Sequence, residues 1–217
     1  MAQSEYTKTL NKLQNIIHRE LKFQGFEKKG RTHNKVVEAG LVHVVSFQSG
    51  EYPIGDKYVI PGIRDYSYGK FAVNLGVFVS DIYEIINKPL EREFIPEYTC
   101  QIRIRLAVLT RGEDYWWAVG ENYREVANEI INGLNKEAAD WFSNFSSRKK
   151  TIASLQDETI PNLYVRTGKL NAALIQLRID RIAGEKLLKE HYQLRSDHKH
   201  HQEYVLELAK KMGVQLV

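Results

Sequence analysis

Arg103 and Arg105 stand two residues apart in the run TCQIRIRLAVL, and they are the side chains with the most evident binding chemistry in this sequence. In an extended segment both guanidinium groups leave on the same side. Such a pair suits a carboxylate or a phosphate through forked hydrogen bonds. Asn74, in KFAVNLGVFV, and Gln48, at the end of a second apolar run, add amides to that surface if their strands are neighbours. Tyr52, Tyr58, Tyr66 and Tyr68 crowd one punctuated stretch. Tyrosine and arginine are enriched at protein interfaces, and aromatic rings also stack on single-stranded bases. The expected ligand- or partner-binding set is therefore Arg103, Arg105, Asn74, Gln48, Tyr66 and Tyr68. The plainer reading is an outer sheet face on which arginine stems cover apolar area and pair with local acids.

Other reactive residue types carry less. Cys100 shares its alternation with Ile102, Ile104, Leu106 and Val108, so it is expected as an inert, buried thiol with a raised pKa. His191, His198, His200 and His201 cluster near Glu190 but lack the three or four convergent ligands of a zinc site and any H-E-x-x-H pair. No metal and no cofactor is expected. The acid pairs Glu113-Asp114 and Asp157-Glu158, and Glu91 with Glu93, fall in loop-like sequence. No phosphate-binding glycine loop and no nucleophile elbow occurs. Catalytic residues are not expected, although a spatially assembled site on the arginine face is the third functional alternative. Basic residues bunch at Lys28, Lys29, Arg31 and Lys35, and again at Arg148, Lys149 and Lys150. Such clusters hold phosphates or simply cover solvated surface.

The elements that must position these groups follow from hydrophobic spacing. Residues 4–24 read as a helix capped by Ser4, with Leu10, Leu13, Ile17 and Leu21 on one stripe and Gly25 as the stop. Residues 26–37 and 41–48 read as two strands around Ala39-Gly40. Residues 49–69 read as a long loop. Residues 70–79 are the clearest strand, with Phe71, Val73, Leu75, Val77 and Val79 on one face. After an irregular stretch with a helical turn near Asp81–Asn87, residues 99–109 alternate as another strand, and Tyr115–Ala118 form a short last one. Residues 121–145 are helical, 146–150 a linker, and 163–194 helical with two apolar faces, which implies burial between elements or in a homodimer. Ser196-Asp197 caps a last helix carrying His201, Val205, Leu208 and Met212.

The chain has 217 residues, with 43% hydrophobic and 27% charged side chains, 12 Tyr, 8 Phe and 3 Trp. That is ordinary globular composition with ample material for a core. One cysteine excludes an internal disulfide framework. The net charge of +4 is mild for this length. No run approaches the length of a spanning helix, and the N-terminus shows no apolar signal core, so a cytoplasmic protein with no membrane contact is expected.

Five short segments, taken in order, carry a resemblance. They are Gly25-Phe26-Glu27-Lys28-Lys29-Gly30, Phe47-Gln48, Phe71-Ala72-Val73-Asn74-Leu75-Gly76, Arg103-Ile104-Arg105-Leu106 and Trp116-Trp117. Together they resemble the bacterial domain of unknown function 4304 family over roughly residues 5–145. The resemblance implies a bacterial α+β domain and no particular activity. In that family an aromatic residue often follows the Gly-x-x stretch, and here His33 stands near that place.

The expected architecture is α+β: an antiparallel sheet of about five strands flanked by helices, spanning 1–145, with a helical extension and C-terminal hairpin over 146–217. The expected function is a non-enzymatic bacterial protein that binds a protein partner, such as an immunity or conflict-system accessory protein. The alternative is a nucleic-acid or phosphate-ligand binder using the basic sheet face.

Overall fold

The computed structural model describes residues 4–50, 68–88, 90, 94–163, 167–195 and 198–216. Helix α1 (Glu5–Phe23) begins where expected: the Thr7 amide donates to Ser4 Oγ at 3.2 Å. Satisfying an otherwise orphaned first-turn amide is what a serine cap contributes. The α1 stripe Leu10, Leu13, Ile17 and Leu21 is buried. Gly25, with φ +85°, turns the chain out of the helix in a conformation that only glycine adopts freely.

Six strands follow: β1 (Glu27–Lys29), β2 (Thr32–Glu38), β3 (Leu41–Ser49), β4 (Lys70–Val79), β5 (Ile102–Arg105) and β6 (Trp117–Ala118). They form one antiparallel sheet in the order β1-β2-β3-β4-β5, and β6 pairs with the start of β4. Residues 26–37 are thus not one strand. Gly30, with φ +61°, splits them into a tight hairpin in which Lys29 faces Thr32. The helices are α2 (Ser80–Ile86), α3 (Leu106–Arg111), α4 (Tyr123–Gly133), α5 (Ala139–Ser143), α6 (Arg148–Gln156), α7 (Gly168–Ile179), α8 (Arg181–Leu194) and α9 (Lys199–Lys211). A π-helical turn, Leu134–Ala138, joins α4 to α5. The fold is α+β, as expected.

The sheet has two unlike faces. Phe71, Val73, Leu75, Val77 and Val79 join Ile102, Ile104 and the apolar stripes of the helices in one buried cluster, which runs from Leu10 to Val214. The opposite face holds a small second cluster of Val42, Val44, Phe78, Ile95 and Cys100. Cys100 therefore does not share a face with Ile102 and Ile104. A 3-10 turn at Glu97–Thr99 and a bend at Gln101 break the alternation before the strand begins.

Other expectations shift for local reasons. The strand expected over 99–109 ends at Arg105, because Leu106 and Ala107 are both buried in the first turn of α3, which Gly112 (φ +76°) closes. The segment expected as a linker is the start of α6: Ser147 Oγ accepts from the Lys150 amide at 3.3 Å. The long helix over 163–194 breaks at Asp180, whose carboxylate accepts from the Ala183 amide at 3.1 Å to start α8. Ser196-Asp197, and the loop stretch 51–67, lie outside the described residues. No helix among the described residues is long and apolar enough to cross a membrane.

Candidate functional site

Thr32, Ser46, Asn74 and Arg105 are successive Cα partners across β2, β3, β4 and β5. Cross-strand partners share a face, so the four side chains form one polar row on the side away from the helices. Thr32 Oγ1 and Ser46 Oγ are hydrogen-bonded at 3.1 Å. Asn74 Nδ2 donates to Gln48 Oε1 at 3.2 Å, and Gln48 is exposed. Arg105 Nη1 donates to Asp114 Oδ2, and its guanidinium lies 5.1 Å from the centre of the Trp116 ring. Indole stacking holds an arginine without consuming its donors.

The next row across the same strands is Asn34, Val44, Gly76 and Arg103. This row is sealed. The Asn34 side chain clasps the Ile95 backbone: Nδ2 donates to the Ile95 carbonyl at 2.9 Å and Oδ1 accepts from the Ile95 N–H at 2.6 Å. Cys100 sits so close over Gly76 that a Cβ there would lie 2.7 Å from Sγ. Arg103 donates from Nε and Nη2 to the two oxygens of Glu97, at 2.6 and 2.9 Å. Its fork is thus spent on a buried carboxylate of its own chain. Burial pushes the Cys100 thiol up, and the Glu97 carboxylate adds to the effect. A thiol held protonated there is no nucleophile.

The expected residues therefore part company. The structure brings Gln48, Asn74 and Arg105 together and places Arg103 in an internal pair. Tyr68 is exposed and stacks on Tyr6 of α1, 6.4 Å between ring centres, away from the row. Tyr66 lies outside the described residues. Thr32, Ser46, Asp114 and Trp116 join the site unforeseen. Only the ladder register reveals them, because Thr32 and Ser46 come from strands whose alternation is weak.

The histidines sort similarly. His191 Nε2 and His201 Nε2 are hydrogen-bonded at 2.8 Å, one donating and one accepting, with His191 buried and pushed down to about 4 by burial and the neighbouring ring. No group of three or more His, Cys, Asp or Glu poised for a metal occurs among the described residues. His43, on the helix side of β3, stacks on Phe142 and donates from Nε2 to the Phe145 carbonyl at 3.0 Å.

A family model described as Domain of unknown function (DUF4304) matches residues 64–144. This covers β4 through α5 and leaves the Gly25–Gly30 and Phe47-Gln48 segments outside. No curated protein and no solved structure matches the chain.

Proposed function

We propose that the chain is a non-enzymatic binding protein that presents the polar row of its sheet to a protein partner. An immunity or conflict-system accessory protein fits this reading. The observation that carries it is the row in which half-exposed Thr32, Ser46 and Arg105 flank the buried Asn74, which holds the exposed Gln48, while Arg105 is set on Trp116. Strand-borne donors and acceptors at fixed spacing are the kind of surface that recognises a polar protein patch. The nucleic-acid alternative is weakened because both arginines already face carboxylates, Glu97 and Asp114. Neutralised cations release few counterions from a phosphate backbone.

The test begins with co-purification from the native host to supply a partner. Arg105→Lys and Asn74→Ala are then compared with the wild type for partner affinity. Arg105→Lys is expected to weaken binding by about 1.5–3 kcal/mol with thermal stability unchanged. Unchanged affinity in both variants refutes the assignment. Tight, steeply salt-dependent binding of generic DNA or RNA would transfer the face to the nucleic-acid reading.

A further inference from the structure

Gln14 and His18 lie one turn apart on α1, so they share one strip of the helix. That strip packs over β2, where His33 is fully buried. The His18 and His33 rings lie 5.4 Å apart, and the edge of His33 meets Phe47 of β3 at 5.9 Å. Lys28 is the ladder partner of His33 on the edge strand β1, so its side chain leaves the sheet on the same side. It reaches toward α1 and donates to Asn15 Oδ1 at 3.4 Å. Lys28 makes no ion pair with any carboxylate among the described residues, and burial holds its ammonium below the usual lysine range.

Buried polar atoms of this cluster are short of hydrogen-bond partners: Gln14 Nε2 and His18 Nδ1 have none, and His33, whose ring nitrogens make no bond of good geometry, has only the Val45 backbone beside it. Buried polar atoms are nearly always satisfied, so under-paired groups on one helix strip and on the ring beneath it mark a position that something else fills. Charge decides what. The ionisable groups acting on the two rings are Lys28 and Lys22 on His18, and Lys28 and His18 on His33; none is an acid. The residue facing them from β3, Phe47, carries no charge. A cation entering here would meet ammonium groups and no carboxylate. An anion would meet an amide N–H, imidazole N–H groups and an ammonium.

We infer that the junction of α1, β1 and β2 is a binding site for a small oxyanion, a carboxylate or a phosphate, held by Gln14, His18, His33 and Lys28. The oxyanion accepts from Gln14 Nε2 and from the imidazole N–H groups, and Lys28 supplies the compensating charge at the mouth. The half-buried His18 and Lys28 form that mouth, while Gln14 and His33 form the floor. An anion beside the rings favours their charged forms, so binding takes up protons and is tighter near pH 6 than near pH 8.

The experiment titrates isotope-labelled full-length protein with sodium phosphate and, separately, sodium acetate. Ionic strength is held constant with chloride, and the His18 and His33 side-chain resonances are followed by NMR. Saturable shifts of both rings are expected with at least one of the two anions: phosphate assigns a tetrahedral ligand, acetate a carboxylate. Lys28→Gln should weaken binding about tenfold or more, and so should His33→Phe, which keeps an aromatic ring against Phe47. Lys28 is half-exposed, so its substitution leaves a folded protein even where His33→Phe does not. Rings that respond to neither anion beyond the chloride control overturn the assignment. So does a Lys28→Gln variant that binds as tightly as the wild type.

Discussion

Conservative replacement of the two arginines should separate structure from recognition. Arg103 and Glu97 are 24% and 9% exposed, whereas Arg105 and Asp114 are 25% and 56% exposed. Arg103→Lys keeps the charge but loses one of two forked hydrogen bonds, and one oxygen of Glu97 is left unpaired where water hardly reaches. A hydrogen bond to a charged group is worth about 1.5–3 kcal/mol, so Arg103→Lys should cost about that much stability. Arg105→Lys disturbs a pair whose acid is already solvated, and such pairs contribute at most about 1 kcal/mol. Urea titration measures both, and a valid comparison requires an unchanged m-value. Glu97→Gln, alone and with Arg103→Lys, completes a cycle whose coupling should be large. Equal costs for the two lysine variants, within about 0.5 kcal/mol, would refute the division of the face into a sealed and a binding row.

Acid should unfold the protein in a window set by its histidines. Burial pushes His33, His43 and His191 down to about 4. A depressed histidine pKa means that the unfolded chain binds more protons, so stability is full above about pH 6.5 and falls as pH drops toward 4. At about pH 5 an imidazole so depressed removes up to about 2 kcal/mol, and less for His191, whose ring is hydrogen-bonded to His201. His43→Phe should flatten the pH dependence of the urea midpoint by about one proton, and a flat profile from pH 7 to 5 in the wild type would contradict the burial argument. Gly76→Ala places a Cβ 2.7 Å from Cys100 Sγ and 2.9 Å from Cys100 Cβ. It should cost about 1–3 kcal/mol, partly restored by Cys100→Gly; a cost under about 0.5 kcal/mol would show that the 94–101 segment yields freely. Protein purified without an affinity tag should contain substoichiometric zinc by elemental analysis. One equivalent that is lost in a His191→Ala/His201→Ala variant would overturn this.

Legibility in the sequence tracked the continuity of each element. The Ser4 cap, the α1 stripe and both faces of β4 could be read because each pattern runs unbroken, and Leu75 and Ile104 are buried as the alternation required. Counting by twos failed at Cys100 and beyond Arg105, where a turn precedes the strand and a helix follows it at once. Over four residues the two periods are not distinguishable. The arginines do point away from the main core, yet nothing in the spacing told that Arg103 would turn back to Glu97. That pairing depends on how the 3-10 turn folds over Gly76. His33 and His43 were missed as interior residues because histidines in a strand carry no apolar signal.

Thr32 and His33 are consecutive in β2 and therefore open onto opposite faces of one sheet. Thr32 belongs to the polar row with Ser46, while His33 belongs to the cluster under α1 with His18. The two proposed sites share a strand but no side chain. Sites without shared partners behave additively to within about 0.5 kcal/mol. Arg105→Lys should thus leave phosphate or acetate binding at the α1 junction unchanged. Lys28→Gln should leave partner affinity at the polar row unchanged, and the double variant should show the sum of the two effects. Coupling well above that level would mean that anion binding shifts β2 itself. The oxyanion would then be an effector of partner recognition rather than an independent ligand, and strand β2 would be the element through which it acts.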